Sequence, residues 1–138
     1  MDKTFLLEIV TPYGLVVNSK VEEAYIPGSQ GDFGVLPGHA PLLTSLRIGE
    51  LHYRREKEIH FLAINRGFAE VTSTRTTILA DTAEPAEGID TERAKAGKAR
   101  AEEKLKTLSK DDPAYPQAME ALERARVRTR VAEKAVRD

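Results

Sequence analysis

The sequence predicts a β + α chain: a compact β-rich body over residues 1–85, then an antiparallel α-helical hairpin over residues 86–138. Three observations predict it. Short apolar or β-branched runs alternate with Gly/Pro turns through the first 80 residues. Seven of the nine glycines precede residue 70, where tight turns are needed most. From Glu84-Pro85-Ala86-Glu87-Gly88 onward, strand formers thin out and Ala, Glu, Lys and Arg dominate.

Phe5-Leu6-Leu7-Glu8-Ile9-Val10 and Thr76-Thr77-Ile78-Leu79-Ala80 are runs of strand length and strand composition. Val21–Ile26 and Ile59–Ile64 carry the clearest period-2 signal. In Ile59–Ile64 both faces are apolar, Ile59, Phe61 and Ala63 on one side and Leu62 and Ile64 on the other, which predicts a strand buried between layers. Thr11-Pro12-Tyr13-Gly14 places Pro and Gly where a turn wants them. Pro27-Gly28, Pro37-Gly38, Gly49 and Arg66-Gly67 supply others. Many short strands with such turns indicate a sandwich or barrel of about eight to ten strands. The adjacent Glu22-Glu23 read as the solvated edge of a strand.

Pro85 and Gly88 mark a hinge. Asp90 is a good N-cap for a first helix reaching Leu108, and Ser109-Lys110-Asp111-Asp112-Pro113 ends it. Pro116, a natural first-turn proline, opens a second helix running to about Val136. A short loop between two helices predicts an antiparallel pair. Ala94, Gly97, Ala101, Leu105 and Leu108 recur at helical spacing on the first. Ala118, Leu122, Ala125, Thr129, Ala132 and Val136 do so on the second. Most are small, so the seam is close but weak, since a buried methyl contributes only ~0.8 kcal/mol. Two readings follow: an element that changes position, or a hairpin permanently docked.

Catalytic signatures are missing: no phosphate loop, no G-x-S-x-G and no H-E-x-x-H. The absence of cysteine excludes disulfides and thiolate metal sites. His39, His52 and His60 carry no metal-ligand pattern and read as surface or packing residues. Net charge is -1, with no pull toward nucleic acid. No apolar run approaches the roughly 18 residues of a spanning helix, and no signal-peptide pattern opens the chain. Membrane association is therefore expected only through a partner.

The charge is nonetheless uneven, with 13 basic against 10 acidic residues from position 90 onward. Arg93 and Arg100 share one face of the first helix. Arg124 and Arg128 are four apart on the second, as are Arg126 and Arg130. In an antiparallel pair, Arg93 approaches Arg128. Such a cluster is either a solvated face paired with Glu120, Glu123 and Glu133, or a phosphate site, for which the guanidinium fork is suited. The segment Gly31–His39 is glycine-rich, but no helix pattern follows it, so it reads as a structured loop or a protein-contact loop rather than a nucleotide cradle.

At this point three segments carry a resemblance. Gly31-Asp32-Phe33-Gly34-Val35-Leu36-Pro37-Gly38-His39-Ala40-Pro41-Leu42-Leu43-Thr44 closely resembles a segment of the epsilon subunit of bacterial F-type ATP synthase. Gly67-Phe68-Ala69-Glu70-Val71 with Thr77-Ile78-Leu79-Ala80, and Ile89-Asp90-Thr91-Glu92-Arg93-Ala94, resemble two more. Arg66 stands where that family has the first glycine of a pair, and Pro85 stiffens the linker.

The resemblance implies a ten-stranded β-sandwich with a C-terminal hairpin, in a non-catalytic rotor subunit with no required cofactor. The sandwich would join the gamma subunit to the c-subunit ring, with Asp32 and His39 as contact positions. The hairpin would fold down on the sandwich, or rise to the alpha and beta subunits and inhibit ATP hydrolysis. In some members the folded form binds regulatory ATP, and the matching positions here are Ile89, Asp90, Arg93, Ala94, Arg100, Arg124 and Arg128. The implied location is peripheral, on the cytoplasmic face of the bacterial plasma membrane. An ATP-sensing module without a coupling role, and a structural adaptor whose hairpin never moves, are the competing readings.

Overall fold

Phe5, Leu7 and Ile9 are buried while the residues between them are only partly so, the alternation of a strand with one face on a core. In the computed structural model, which describes residues 3–135, they form β1 (Phe5–Thr11). Then come β2 (Gly14–Val21), β3 (Glu23–Ile26), β4 (Phe33–Val35), β5 (Leu42–Leu46), β6 (Gly49–Arg55), β7 (Glu58–Val71) and β8 (Arg75–Pro85). A 3-10 turn, Ala86–Gly88, leads to α1 (Thr91–Lys106) and α2 (Tyr115–Ala132).

The strands run in the order β2-β1-β8-β7-β6-β3-β4, with β5 also on β7. The early part of β7 pairs with β6, as far as Ile64 opposite Gly49. Its late part pairs with β5, from Gly67 opposite Leu46. Early β8 lies parallel to β1 and late β8 continues beside early β7. The sheet thus folds over on itself at Arg66-Gly67 and at residues 47–48. One layer holds β2, β1, early β8, late β7 and β5. The other holds β4, β3, β6, early β7 and late β8. This corrects the expectation of ten strands: there are eight among the described residues, because β7 and β8 pass through the corner unbroken and each serves both layers.

Between the layers lies the main core, with Leu7, Ile9, Leu51, Leu62, Ile64 and Ile78 fully buried. Outside the second layer lies a separate cluster, in which Ile48, Ala63, Ala86 and Ile89 meet Ala94, Val127, Val131 and Ala132. This explains the doubly apolar pattern of β7. Leu62 and Ile64 face the sandwich core, while Ala63 and its neighbour Phe61 face the helices. Ile59 does not follow the pattern and is exposed.

Two local expectations change. Val21–Ile26 is not one strand but the end of β2 and the whole of β3, with the break at Glu22. Glu22 and Glu23 are not edge solvation either. Both carboxylates pair with the Arg54 guanidinium, Glu23 at 3.1 Å, and the Glu22 carboxylate also accepts the Glu56 amide at 3.0 Å. The break turns both side chains toward one cation, which strand periodicity cannot foresee. The Gly31–His39 segment, expected as loop, contains the short strand β4.

Candidate functional site

Asp90 caps α1 as its residue type predicts: its carboxylate accepts the Arg93 amide at 3.1 Å. Helix α1 ends at Lys106, two residues before the predicted Leu108, and α2 starts one residue before Pro116. Ala118, Leu122 and Thr129 are buried on α2, and Ala94 on α1. The predicted seam member Val136 lies outside the described residues. The Thr129 hydroxyl is within hydrogen-bond reach of two carbonyls, Ala125 at 2.8 Å and Ala94 of the other helix at 3.2 Å. Thr129→Val keeps the shape but removes this tie. It should lower the stability of the hairpin by about 1 kcal/mol, read from a shift in its chemical denaturation midpoint.

What the periodicity of the seam missed is a second stripe. Val127 and Val131, four apart, face the sheet rather than α1. Their spacing was visible, but their separation from the alanine stripe hid their destination. Through them α2, and not α1, makes the broad contact with β6 and β7.

The predicted arginines are only partly gathered. Arg124 and Arg128 line a hollow of about 300 Å³ between α2 and the sheet, together with Asn65, Thr82 and Glu84. Arg128 is held there by Glu84, its Nε donating to both carboxylate oxygens at 3.1 and 3.2 Å. Arg93 and Arg100 are exposed and line neither this hollow nor the one formed by residues 87–92, which includes Ile89 and Asp90. So Arg128 meets a carboxylate of the sandwich, rather than Arg93 or the expected Glu120, Glu123 and Glu133. Ile89 and Ala94 are buried in the hairpin–sandwich cluster. Glu84 was not among the predicted residues. Its only signal was a carboxylate beside Pro85.

Asp32 directly precedes β4, and His39 lies four residues beyond its end, past the Pro37-Gly38 turn. Asp32 pairs with Arg47. His39 Nδ1 lies 2.6 Å from the Ala40 carbonyl, and the preceding Gly38 amide donates to Ser73 at 2.8 Å. The other histidines pack on aromatic rings. His52 stacks on Tyr25 at 4.8 Å and lies 5.4 Å from Phe61, while His60 stacks on Tyr53 at 5.0 Å. Burial pushes the Tyr53 phenol pKa up. Among the described residues, no group of three or more His, Cys, Asp or Glu is arranged to hold a metal ion.

A β-sandwich with a helical hairpin laid on one face defines a known class. Residues 4–86 match the family described as ATP synthase, Delta/Epsilon chain, beta-sandwich domain, and residues 87–133 match its long alpha-helix domain. The chain belongs to the ATP synthase delta/epsilon family, and within it to the F-type epsilon subunits, which are not the catalytic subunit. It is 49% identical over 137 residues to the ATP synthase epsilon chain of Geotalea uraniireducens, covering 99% of both chains. It is 48% identical over the same length to that of Geobacter sulfurreducens, again covering 99% of both. Among solved structures it is similar to a chain of the Euglena gracilis mitochondrial ATP synthase (OSCP/F1/c-ring, rotational state 1). There the TM-score is 0.81 and the identity 25%, covering 98% of this chain and 84% of that one. A chain of the Tetrahymena thermophila mitochondrial ATP synthase shares the fold at TM-score 0.64 and 16% identity, covering 95% of this chain and 97% of that one.

Proposed function

We propose that the chain is a non-catalytic rotor subunit of the ATP synthase central stalk. Its sandwich joins gamma to the c-subunit ring and so couples proton flow to ATP synthesis. Its hairpin, when it leaves the sandwich, reaches the alpha and beta subunits and inhibits hydrolysis. The observation that carries the reading is the division of the apolar core. The sandwich has its own complete core, while the hairpin is held on it by a smaller cluster to which its two helices contribute two valines and two alanines. Residues 1–85 then act as the coupling body and 86–138 as the regulatory part.

A second feature supports the gamma contact. On the outer face of the layer away from the hairpin, Leu15, Val10, Leu79 and Phe68 are cross-strand neighbours in one row. Leu15, Leu79 and Phe68 are each more than half exposed. An uncovered apolar row of this kind marks a docking face, and gamma is the partner we assign to it. Asp32 and His39, in the segments flanking β4, are assigned to the c ring and gamma. No helix among the described residues is long and apolar enough to cross a membrane. Attachment to the cytoplasmic face of the bacterial plasma membrane then comes through the complex.

The test is reconstitution of the catalytic complex with gamma, with and without the chain, and with a version ending at Gly88. The full chain should bind gamma and lower the ATPase rate, and the shortened one should bind without lowering it. A full chain that does neither overturns the reading.

One observation favours a nucleotide-sensing role within it: the hollow containing Arg124 and Arg128 opens where hairpin and sandwich meet. Regulatory ATP bound there would be held by Arg124 and Arg128 and would stabilise the docked hairpin, whereas Ile89, Asp90, Arg93, Ala94 and Arg100, which the resemblance also implies, lie outside this hollow. Its phosphates would have to compete with the Glu84 carboxylate for Arg128. Calorimetry with MgATP should show saturable binding that Arg124→Ala weakens at least tenfold. No heat at millimolar MgATP removes the nucleotide site. Binding without gamma affinity would instead favour a sensor that couples nothing.

A further inference from the structure

Arg66 sits in the left-handed region, at φ 50°, immediately before Gly67 at the corner of the sandwich. Among the described residues only Glu56 shares this property outside glycine. A residue with a Cβ gains nothing from that backbone, which glycine adopts without strain. Yet the Arg66 guanidinium reaches across to α2 and pairs with the Glu120 carboxylate, 54 positions away.

Position along α2 gives the contact its meaning. The apolar cluster on the sheet involves Val127, Val131 and Ala132, all in the second half of the helix. Two other cross-ties reinforce that half or lie beyond it. Arg128 holds Glu84 at 3.1 Å. Lys134 holds Glu50 at 2.5 Å, with its ammonium 4.9 Å from the centre of the Phe61 ring. In the first half, Ala118 and Leu122 are buried but belong to neither the sandwich core nor the docking cluster. There the Arg66–Glu120 pair is the ionic tie to the sandwich among the described residues, beside a hollow lined by Arg47, Ile48 and Met119.

We propose that Arg66 is an ionic latch for the front of α2, which makes docking of the hairpin dependent on ionic strength. The inference rests on the reading that the hairpin leaves the sandwich. Both partners are about half exposed, at 50% and 42%. A pair in that setting is weak and is screened by salt. Weakness suits a latch, which has to bias a position without fixing it.

The natural absence of cysteine allows paired spin labels at Gln117→Cys and Lys20→Cys, with distances measured in the full chain. Arg66→Gly and Glu120→Gln should each raise the released-to-docked ratio of the front of α2 by roughly two- to fivefold. Combined, they should do no more than either alone. The exchanged pair Arg66→Glu with Glu120→Arg should restore docking. Half-molar salt should release the wild-type hairpin as Arg66→Gly does, and should release Arg66→Gly less. Thermal melting of the sandwich separates the latch from damage to the corner, because Arg66→Gly relieves the left-handed backbone and should not lower the melting temperature. Unchanged distances in both single variants, while Val131→Asp releases the hairpin, overturn the latch alone. A hairpin that stays docked in all of them, Val131→Asp included, overturns the moving hairpin and the latch with it.

Discussion

Gly67→Ala should lower the stability of the sandwich by about 3–5 kcal/mol, the largest effect expected of any single methyl in this chain. Gly67 lies at φ 148°, and a Cβ there would fall 1.8 Å from the Leu79 carbonyl oxygen and 2.8 Å from the Ala80 Cα. Both are backbone atoms of the paired strand β8, which cannot turn aside as a side chain could. Relief requires opening the β7–β8 ladder at the corner where both strands change layer. Left-handed strain adds about 1–3 kcal/mol and a forced backbone shift about as much again. Gly14→Ala is the control. It has φ 130° but open space around the new methyl, so it carries only the strain. Urea denaturation should place Gly67→Ala well below Gly14→Ala in midpoint. Equal midpoints would mean that the corner is softer than its packing implies.

The same corner shows how far the sequence could be read. Arg66-Gly67 was legible as a turn, because Gly follows a polar residue between two apolar runs. That it is a bend inside one continuous strand was not, since β8 stays paired with β7 across it while the partner on the other edge changes from β6 to β5, and no local pattern records that exchange. The strand count of eight rather than ten has this one cause. The starts of the helices were legible to within a residue, because Asp90 and Pro116 act through local backbone geometry, but α2 stops at Ala132 rather than near Val136, where no capping residue marked the end. The site was less so. Arg124 and Arg128 share a hollow by helical spacing, but the carboxylate that holds Arg128 comes from Glu84, 44 positions earlier and in another element. No periodicity links two such residues, and only the docking of α2 brings them together.

That docking is the subject of the second large effect. Val131→Asp should release the hairpin while leaving the sandwich folded. Val131 is fully buried in the cluster outside the second layer, against a sheet face supplied by Ile48 and Ala63. The hairpin contributes Val127, Val131, Ala94 and Ala132 to this cluster, roughly 5–8 kcal/mol of gross burial before any ordering cost. An unpaired carboxylate kept at that position would forfeit several kcal/mol, comparable with the net gain from docking. The chain therefore does better to expose the aspartate than to bury it. Its sandwich core shares no residue with the cluster, so the urea transition of the body should keep its midpoint. Limited proteolysis should now cut at the basic residues of α2, and labels on α2 and the sheet should separate. In the reconstituted complex, the proposed function then requires a definite sign. A hairpin that has lost its seat spends more time extended, so ATP hydrolysis should be more strongly inhibited, and MgATP should no longer relieve it. Full protection from protease in Val131→Asp would show that the apolar cluster is not what seats α2. An ATPase rate equal to wild type, with the hairpin demonstrably released, would separate hairpin position from hydrolysis and leave the chain as a coupling element alone.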